Sequence, residues 1–281
     1  MLKRIITGGL LTAVIVGFFF LRKIDTRLFD ILLYIVSIFG TYEILRAFGE
    51  RITKTEKVAG MVFTLVSLPL FVFLDLKLSL PILVTIFFVL VVISLFKAKE
   101  SFESVGCTML SLIYPTVPML VISFVNDKFS IELSLFTLIV IFISGSLTDV
   151  FAFFVGSALK GKKLCPTISP KKTISGAIGG LIGGVVGCFI AYFFTKAIGK
   201  EVFQSIDLWL VIIILFVLGF FAAVADEVGD LFESLIKRKV GIKDMGNILP
   251  GHGGIMDRFD GISLVAIVSF IVIYVFEILI G

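Results

Sequence analysis

The chain has 281 residues, of which 58% are hydrophobic and only 16% charged, with 31 Phe and a mean hydropathy of +1.15. That balance excludes a soluble globular domain and describes an all-α, polytopic integral membrane protein, with the lipid bilayer as its first partner and no nucleic acid expected. The formal net charge of +4 conceals a one-sided distribution of cations, and the three cysteines, Cys107, Cys165 and Cys188, are too scattered to imply a disulfide framework or a Cys/His zinc site.

Nine apolar runs are long enough to span a bilayer, at about 5–21, 28–46, 58–74, 78–96, 104–125, 131–148, 174–195, 208–226 and 261–280. The first has Lys3-Arg4 before it and Arg22-Lys23 after it, without an A-x-A-like cleavage site, so it is expected to be a retained span. Nine crossings put the N-terminus and the loops near 47–57, 97–103, 159–173 and 237–260 on one side, with eighteen Lys or Arg against seven on the other. The positive-inside rule then places the N-terminus and those loops in the cytoplasm, as expected of a multi-pass protein of the cell (inner) membrane. Residues 1–130 are read as an N-terminal transmembrane region of about five helices. Within it, Glu43 is an ionisable group inside a span that can snorkel or pair with Arg46, and a structural role is favoured. Pro69, Pro81, Pro115 and Pro118 are expected to kink their helices.

Residues 131–281 carry the chemistry. From about 131 the sixth run rises roughly 27 Å to Asp149 at 1.5 Å per residue, near the cytoplasmic edge of the membrane, and either a site role or a helix-capping role is open to it. Lysine then dominates: Lys160-Gly-Lys162-Lys163-Leu-Cys-Pro166-Thr-Ile-Ser169-Pro170-Lys171-Lys172-Thr173. Five lysines can serve as a topological anchor. They also converge with the hydroxyls of Ser169 and Thr173 at the start of a helix, which suits an anion. The seventh span carries Gly176, Gly180 and Gly184 on one face and Gly179, Gly183 and Gly187 on a neighbouring one, a pattern for close helix packing. Trp209 at the start of the eighth fits an aromatic belt.

The most informative stretch is 226–260. On a helix Asp226, Asp230, Glu233 and Lys237 share one face, while Glu227 and Arg238 point elsewhere. Gly241, Gly246 and Pro250-Gly-His252-Gly253-Gly254 require irregular backbone, of the kind that lets phosphate approach N–H groups. Asp257-Arg258-Phe-Asp260 closes the stretch as a second acidic cluster. Carboxylates from two segments, flanked by Lys and Arg, are what a hard-cation site handling phosphate needs.

The pattern Ser234-Leu-Ile-Lys237-Arg238, then Lys243-Asp244-Met-Gly246, then Leu249-Pro250-Gly-His252-Gly253-Gly254-Ile-Met-Asp257-Arg258-Phe-Asp260 resembles, without departure over 27 residues, the signature of the CDP-diacylglycerol synthases (phosphatidate cytidylyltransferases). The upstream block with Asp149, Gly156, Ser169, Pro170, Lys171, Lys172 and Thr173 is similar to the same family, departing at Phe153, where Tyr is frequent, and at Ser175, where an acidic or amide residue often sits. The resemblance covers roughly 145–260. It implies transfer of a cytidylyl group from CTP to phosphatidic acid, giving CDP-diacylglycerol and pyrophosphate. It also implies Mg²⁺, allows a second cation such as K⁺, and suggests a homodimer.

On that basis Asp230 and Asp257 are the expected principal Mg²⁺ ligands, with Asp226 and Asp260 in support. Lys237, Arg238 and Arg258 are expected on phosphates. Ser169, Lys171, Lys172 and Thr173, together with Lys243 and Asp244, are expected to bind substrate, and His252 either satisfies a loop carbonyl or donates to a phosphate oxygen. Two other readings use the same features: a CTP-dependent lipid kinase of the dolichol kinase type, which would release CDP, and a secondary transporter of an anionic metabolite.

Overall fold

The computed structural model describes residues 2–97, 102–204 and 206–280. Its helices are α1 (Leu2–Leu21), α2 (Thr26–Phe48), α3 (Lys54–Phe73), α4 (Leu76–Lys97), α5 (Phe102–Ile113), α6 (Thr116–Lys128) and α7 (Ile131–Leu159). A two-stranded hairpin, β1 (Lys163–Cys165) and β2 (Ser169–Thr173), precedes α8 (Ile174–Ala197), α9 (Leu208–Val240) and α10 (Met256–Ile280).

Each of the nine apolar runs reappears as helix, and the all-α membrane fold stands. Among the described residues eight helical segments are long and apolar enough to cross a membrane, with α5 and α6 together forming one of them; the apolar part of α1, Ile6–Leu21, is shorter. The loop near 97–103 falls mostly outside the described residues. Pro115 separates α5 from α6, because it has no N–H to continue the ladder. Pro69 and Pro81 sit inside α3 and α4.

Helix ends follow local chemistry. Asp25 caps α2 by accepting from the Arg27 amide at 2.9 Å, and Thr53 and Glu56 form a reciprocal capping box on α3. Gly241, at φ 80°, releases the chain from α9. At 33 residues α9 is about 50 Å long, against a hydrocarbon core of about 30 Å, so the charged end from Asp226 onward projects past the apolar run.

The chain packs as two compact units, Met1–Ser123 with Lys239–Arg258, and Phe124–Arg238 with Phe259–Gly281. The glycine-rich segment 239–258 packs within the first of these units, with the N-terminal helices. Each unit buries polar groups within its apolar core and exposes large apolar side chains. In the first, the hydroxyls of Thr41, Thr64 and Thr116 form a buried chain at 2.8 and 2.9 Å, while Phe88 and Val58 are exposed. In the second, Ser144 and Thr148 are fully buried while Phe153 and Phe193 face outward. Interhelical hydroxyls inside an apolar exterior are what lipid as solvent selects.

The second unit is held by glycine. Gly176, Gly179, Gly183 and Gly187 of α8 lie directly on α7, against Ala152, Val155, Leu147 and Ser144, and Gly184 lies on Ala223 and Gly219 of α9. A methyl at these glycines would collide with backbone, so the two faces read from the sequence are packing faces.

Candidate active site

The lysine-rich segment was expected to be an open loop. It is a hairpin, with Lys163 paired to Thr173 and Cys165 to Ser169, and a bulge between them. Strands of three and five residues, Lys-Leu-Cys and Ser-Pro-Lys-Lys-Thr, are too short and too polar to show apolar alternation, which hid them from the sequence. The hairpin ends at Thr173, whose Oγ1 accepts from the Gly176 amide at 3.1 Å and so caps α8. Ser175 Oγ accepts from the Gly161 amide at 3.2 Å and closes the hairpin onto that helix. Ser169 is half-buried and Lys171 exposed, whereas Lys172 turns inward and its Nζ lies 2.7 Å from Asp230 Oδ2 on α9.

The shared face of α9 is realised as read. Asp226, Glu233 and Lys237 are at most 8% exposed. Lys237 donates to Glu233 Oε2 at 2.9 Å, and Ser234 donates to Asp230 Oδ1 at 3.4 Å. Charges gather around that face: Asp149, Asp260, Lys172 and Asp230 all act on Asp226, and Glu233, Asp230 and Lys237 act on Asp260. Arg238 is exposed and its Nε donates to the Ile168 carbonyl of the hairpin turn at 3.3 Å.

One position differs from the sequence reading, and an open one is narrowed. Glu227 does not point away, because Lys172, Asp149 and Asp230 are its charged neighbours and its Oε1 is buried without a hydrogen-bond partner among the described residues. Gly180 of α8 supplies the space: a Cβ there would strike that oxygen. Asp149 lies in the interior of α7 and caps no helix end, and its charge falls on Lys172, Asp226 and Glu227. The register of α7 and of α9 taken singly does not show this; the packing of α8 glycines on both helices brings the groups together.

The rest of the signature lies in the first unit. Lys243 and Asp244 are exposed. Gly251 and Gly253 take φ 79° and 86°, which makes the turn that carries His252. Thr7 of α1 donates to the Pro250 carbonyl at 3.0 Å, Gly8 lies against the imidazole, and His252 Nδ1 is buried without a hydrogen-bond partner among the described residues. Arg258 Nε donates to the His252 carbonyl at 3.2 Å. Asp257 is 8% exposed, and its Oδ2 accepts from the amides of Met245 and Gly254, both at 2.8 Å. Asp257 therefore folds its own loop, whatever else it binds, and it belongs to a different unit from Asp230. Glu43, for which a structural role was favoured, accepts from the Ile255 amide through Oε1 at 3.1 Å and from the Met256 amide through Oε2 at 2.9 Å, with the charge of Arg46 still acting on it.

In the second unit Asp149, Asp226, Glu227, Asp230, Glu233 and Asp260 outnumber Lys172 and Lys237. A hard, oxygen-seeking cation fits that donor set, and the orphaned Glu227 oxygen is the kind of group a cation satisfies. Among the described residues no three His, Cys, Asp or Glu side chains form a ready metal cage.

The model of the family described as Cytidylyltransferase family matches residues 2–276. The chain is 31% identical over 275 residues to the phosphatidate cytidylyltransferase of Bacillus subtilis (strain 168), covering 94% of both chains. It is 40% identical over 124 residues to the protein so named in Rickettsia bellii (strain RML369-C), covering 44% of this chain and 52% of that one. To the one in Rickettsia felis (strain ATCC VR-1525 / URRWXCal2) it is 31% identical over 172 residues, covering 61% and 72%. A likeness that runs from α1 to α10, through both the lysine hairpin and the 226–260 signature, places this integral membrane protein in the cytidylyltransferase family.

Proposed function

We propose that the protein transfers the cytidylyl group of CTP to phosphatidate, releasing pyrophosphate and giving CDP-diacylglycerol for phospholipid synthesis. The observation that carries this reading is the full-length likeness to the Bacillus subtilis phosphatidate cytidylyltransferase. The site suits the reaction. A phosphate monoester has its second pKa near 6, so the lipid phosphate is largely ionised at neutral pH, and no protein nucleophile or strong base is required. Its oxygen attacks the α-phosphorus of CTP while the bond to the β-phosphate oxygen breaks. The protein's part is to hold two polyanions together and to stabilise charge as it moves to the leaving group.

Lys172 can meet phosphate while still tied to Asp230, Lys171 and Arg238 are exposed cations of the same unit, and Lys243 and Arg258 are exposed cations of the first unit proposed to bind phosphate. Lys237, buried on Glu233, balances charge within the α9 face. Asp230, with Asp226 and Asp260, would hold Mg²⁺, and Asp257 is the proposed further ligand, one turn before Asp260 on α10. When bound, Mg²⁺ would supply Lewis-acid neutralisation of the phosphates. The excess of carboxylates leaves room for a second cation such as K⁺. Charge asymmetry supports a cell-membrane location with the hairpin and the 241–255 segment facing the cytoplasm. Assembly as a homodimer is part of the proposal, resting on family resemblance.

The test is purified protein with CTP labelled at the α-phosphate and phosphatidate, with and without Mg²⁺. The expected result is label in the lipid and free pyrophosphate, dependent on the metal. Release of CDP with unlabelled lipid would identify a lipid kinase instead, and no turnover of either kind would remove both enzyme readings.

A further inference from the structure

We infer that Glu43, in the middle of the N-terminal half and outside every signature motif, is a positioning residue for the active-site segment 245–258. This inference rests on the proposed activity of that segment. Helix α10 begins at Met256, and the residue before it is Ile255, which has no side-chain oxygen to cap a helix. The orphan amides of the first turn must still be paired, because water is scarce where a helix enters a membrane. Glu43, from α2 and more than two hundred residues away, supplies both acceptors: Oε1 for Ile255 at 3.1 Å and Oε2 for Met256 at 2.9 Å. It is 1% exposed.

Two glycines of the signature are shaped to that carboxylate. A Cβ on Gly246 or on Gly254 would strike the Glu43 side chain, and neither residue has a positive φ. Their lack of a side chain therefore makes room for Glu43 and is not explained by a turn. Gly40, one helical turn earlier on α2, is open in the same way to Met256. On its other side Gly254 donates to Asp257 Oδ2. The turn that carries His252, and the helix start that carries Asp257 and Arg258, are thus clamped between a carboxylate of α2 and one of α10.

The chemistry of the clamp predicts its failure. Gln in place of Glu43 has one oxygen and one NH₂, so one of the two amides faces a donor and loses its partner. In full-length protein, Glu43→Gln should raise deuterium uptake in peptides spanning 242–256 and leave uptake across the 160–173 hairpin unchanged. Its kcat and kcat/KM should fall together by about 10²-fold, as expected when reacting groups are misplaced by about an ångström. Gly254→Ala should reproduce both effects with Glu43 intact. In the Glu43→Ala background the added methyl has space, so Glu43→Ala/Gly254→Ala should be no worse than Glu43→Ala alone.

Unchanged uptake across 242–256 in Glu43→Gln, or multiplicative losses in the double variant, would overturn the proposal, as would a loosened segment with wild-type kcat. Raised uptake in the variant together with a wild-type protein that makes no CDP-diacylglycerol would instead leave the clamp standing and refute the activity.

Discussion

Lys171 and Lys172 are adjacent and equally charged, yet their surroundings set them apart. Lys171 is exposed on the hairpin, whereas the Lys172 side chain is 20% exposed and lies 2.7 Å from Asp230. Burial by itself disfavours the Lys172 ammonium. The Asp230 carboxylate, with Asp149 and Glu227 beyond it, outweighs that effect and raises the pKa above the ordinary lysine value. The sign follows: the contribution of this pair to stability is complete below the unfolded pKa, about 10.4, and is lost only as pH rises through the higher folded value. Lys172 is therefore a fixed charge across the working range, not a proton donor. Lys172→Gln should lower kcat by about 10²-fold, the scale of losing one electrostatic stabiliser, while Lys171→Gln should act chiefly on KM. Asp230→Asn should match Lys172→Gln, and the double variant should be far less than multiplicatively worse, because the two serve one ion pair. Steady-state kinetics of the four proteins decide it; a Lys171→Gln loss equal to that of Lys172→Gln would remove the distinction.

At the scale of elements, α8 is what brings the hairpin to α9. Gly183 sits so close to Leu147 and Phe151 of α7 that a Cβ would meet the Leu147 carbonyl, while a Cβ on Gly106 of α5 would meet nothing within 4 Å. Gly183→Ala should therefore cost about 1–3 kcal/mol by overpacking and reduce activity by tilting the hairpin. Gly106→Ala should be neutral or gain the roughly 0.5–1 kcal/mol that Ala holds over Gly inside a helix. Thermal unfolding in detergent compares them, and equal midpoints would show that α7 and α8 have slack. The helices, the α9 face and the irregular turn at 250–254 were legible because apolar length, a 3.6-residue period and glycine clusters are local signals. The hairpin was not, since its lysines mask alternation. Glu227 was misplaced because one helix's register says nothing of what a second helix lays against it, and the partners of Glu43 lie more than two hundred residues away, beyond any local pattern.

For the whole molecule, the proposed nine crossings and the position of the cations define one arrangement in the membrane that can be tested. Eighteen of the 25 Lys and Arg fall on the side that holds the hairpin and the 241–255 segment. In the proposed topology the charged end of α9 projects toward that side, where a nucleotide such as CTP is available. Cys165 in β1 is half-buried, Cys107 is half-buried in α5, and Cys188 is fully buried. Replacing Cys107 with Ser and Cys188 with Ala leaves Cys165 as the single thiol, and Lys162→Cys adds an exposed one on the same hairpin. An impermeant maleimide should then label the hairpin in inverted vesicles and spare it in intact cells. Lys77→Cys, exposed at the start of α4 and on the side with seven cations, should behave the opposite way. If hairpin and Lys77→Cys are labelled from the same side, the number of crossings between them is even, and the nine-crossing topology fails along with the cytoplasmic placement of the site.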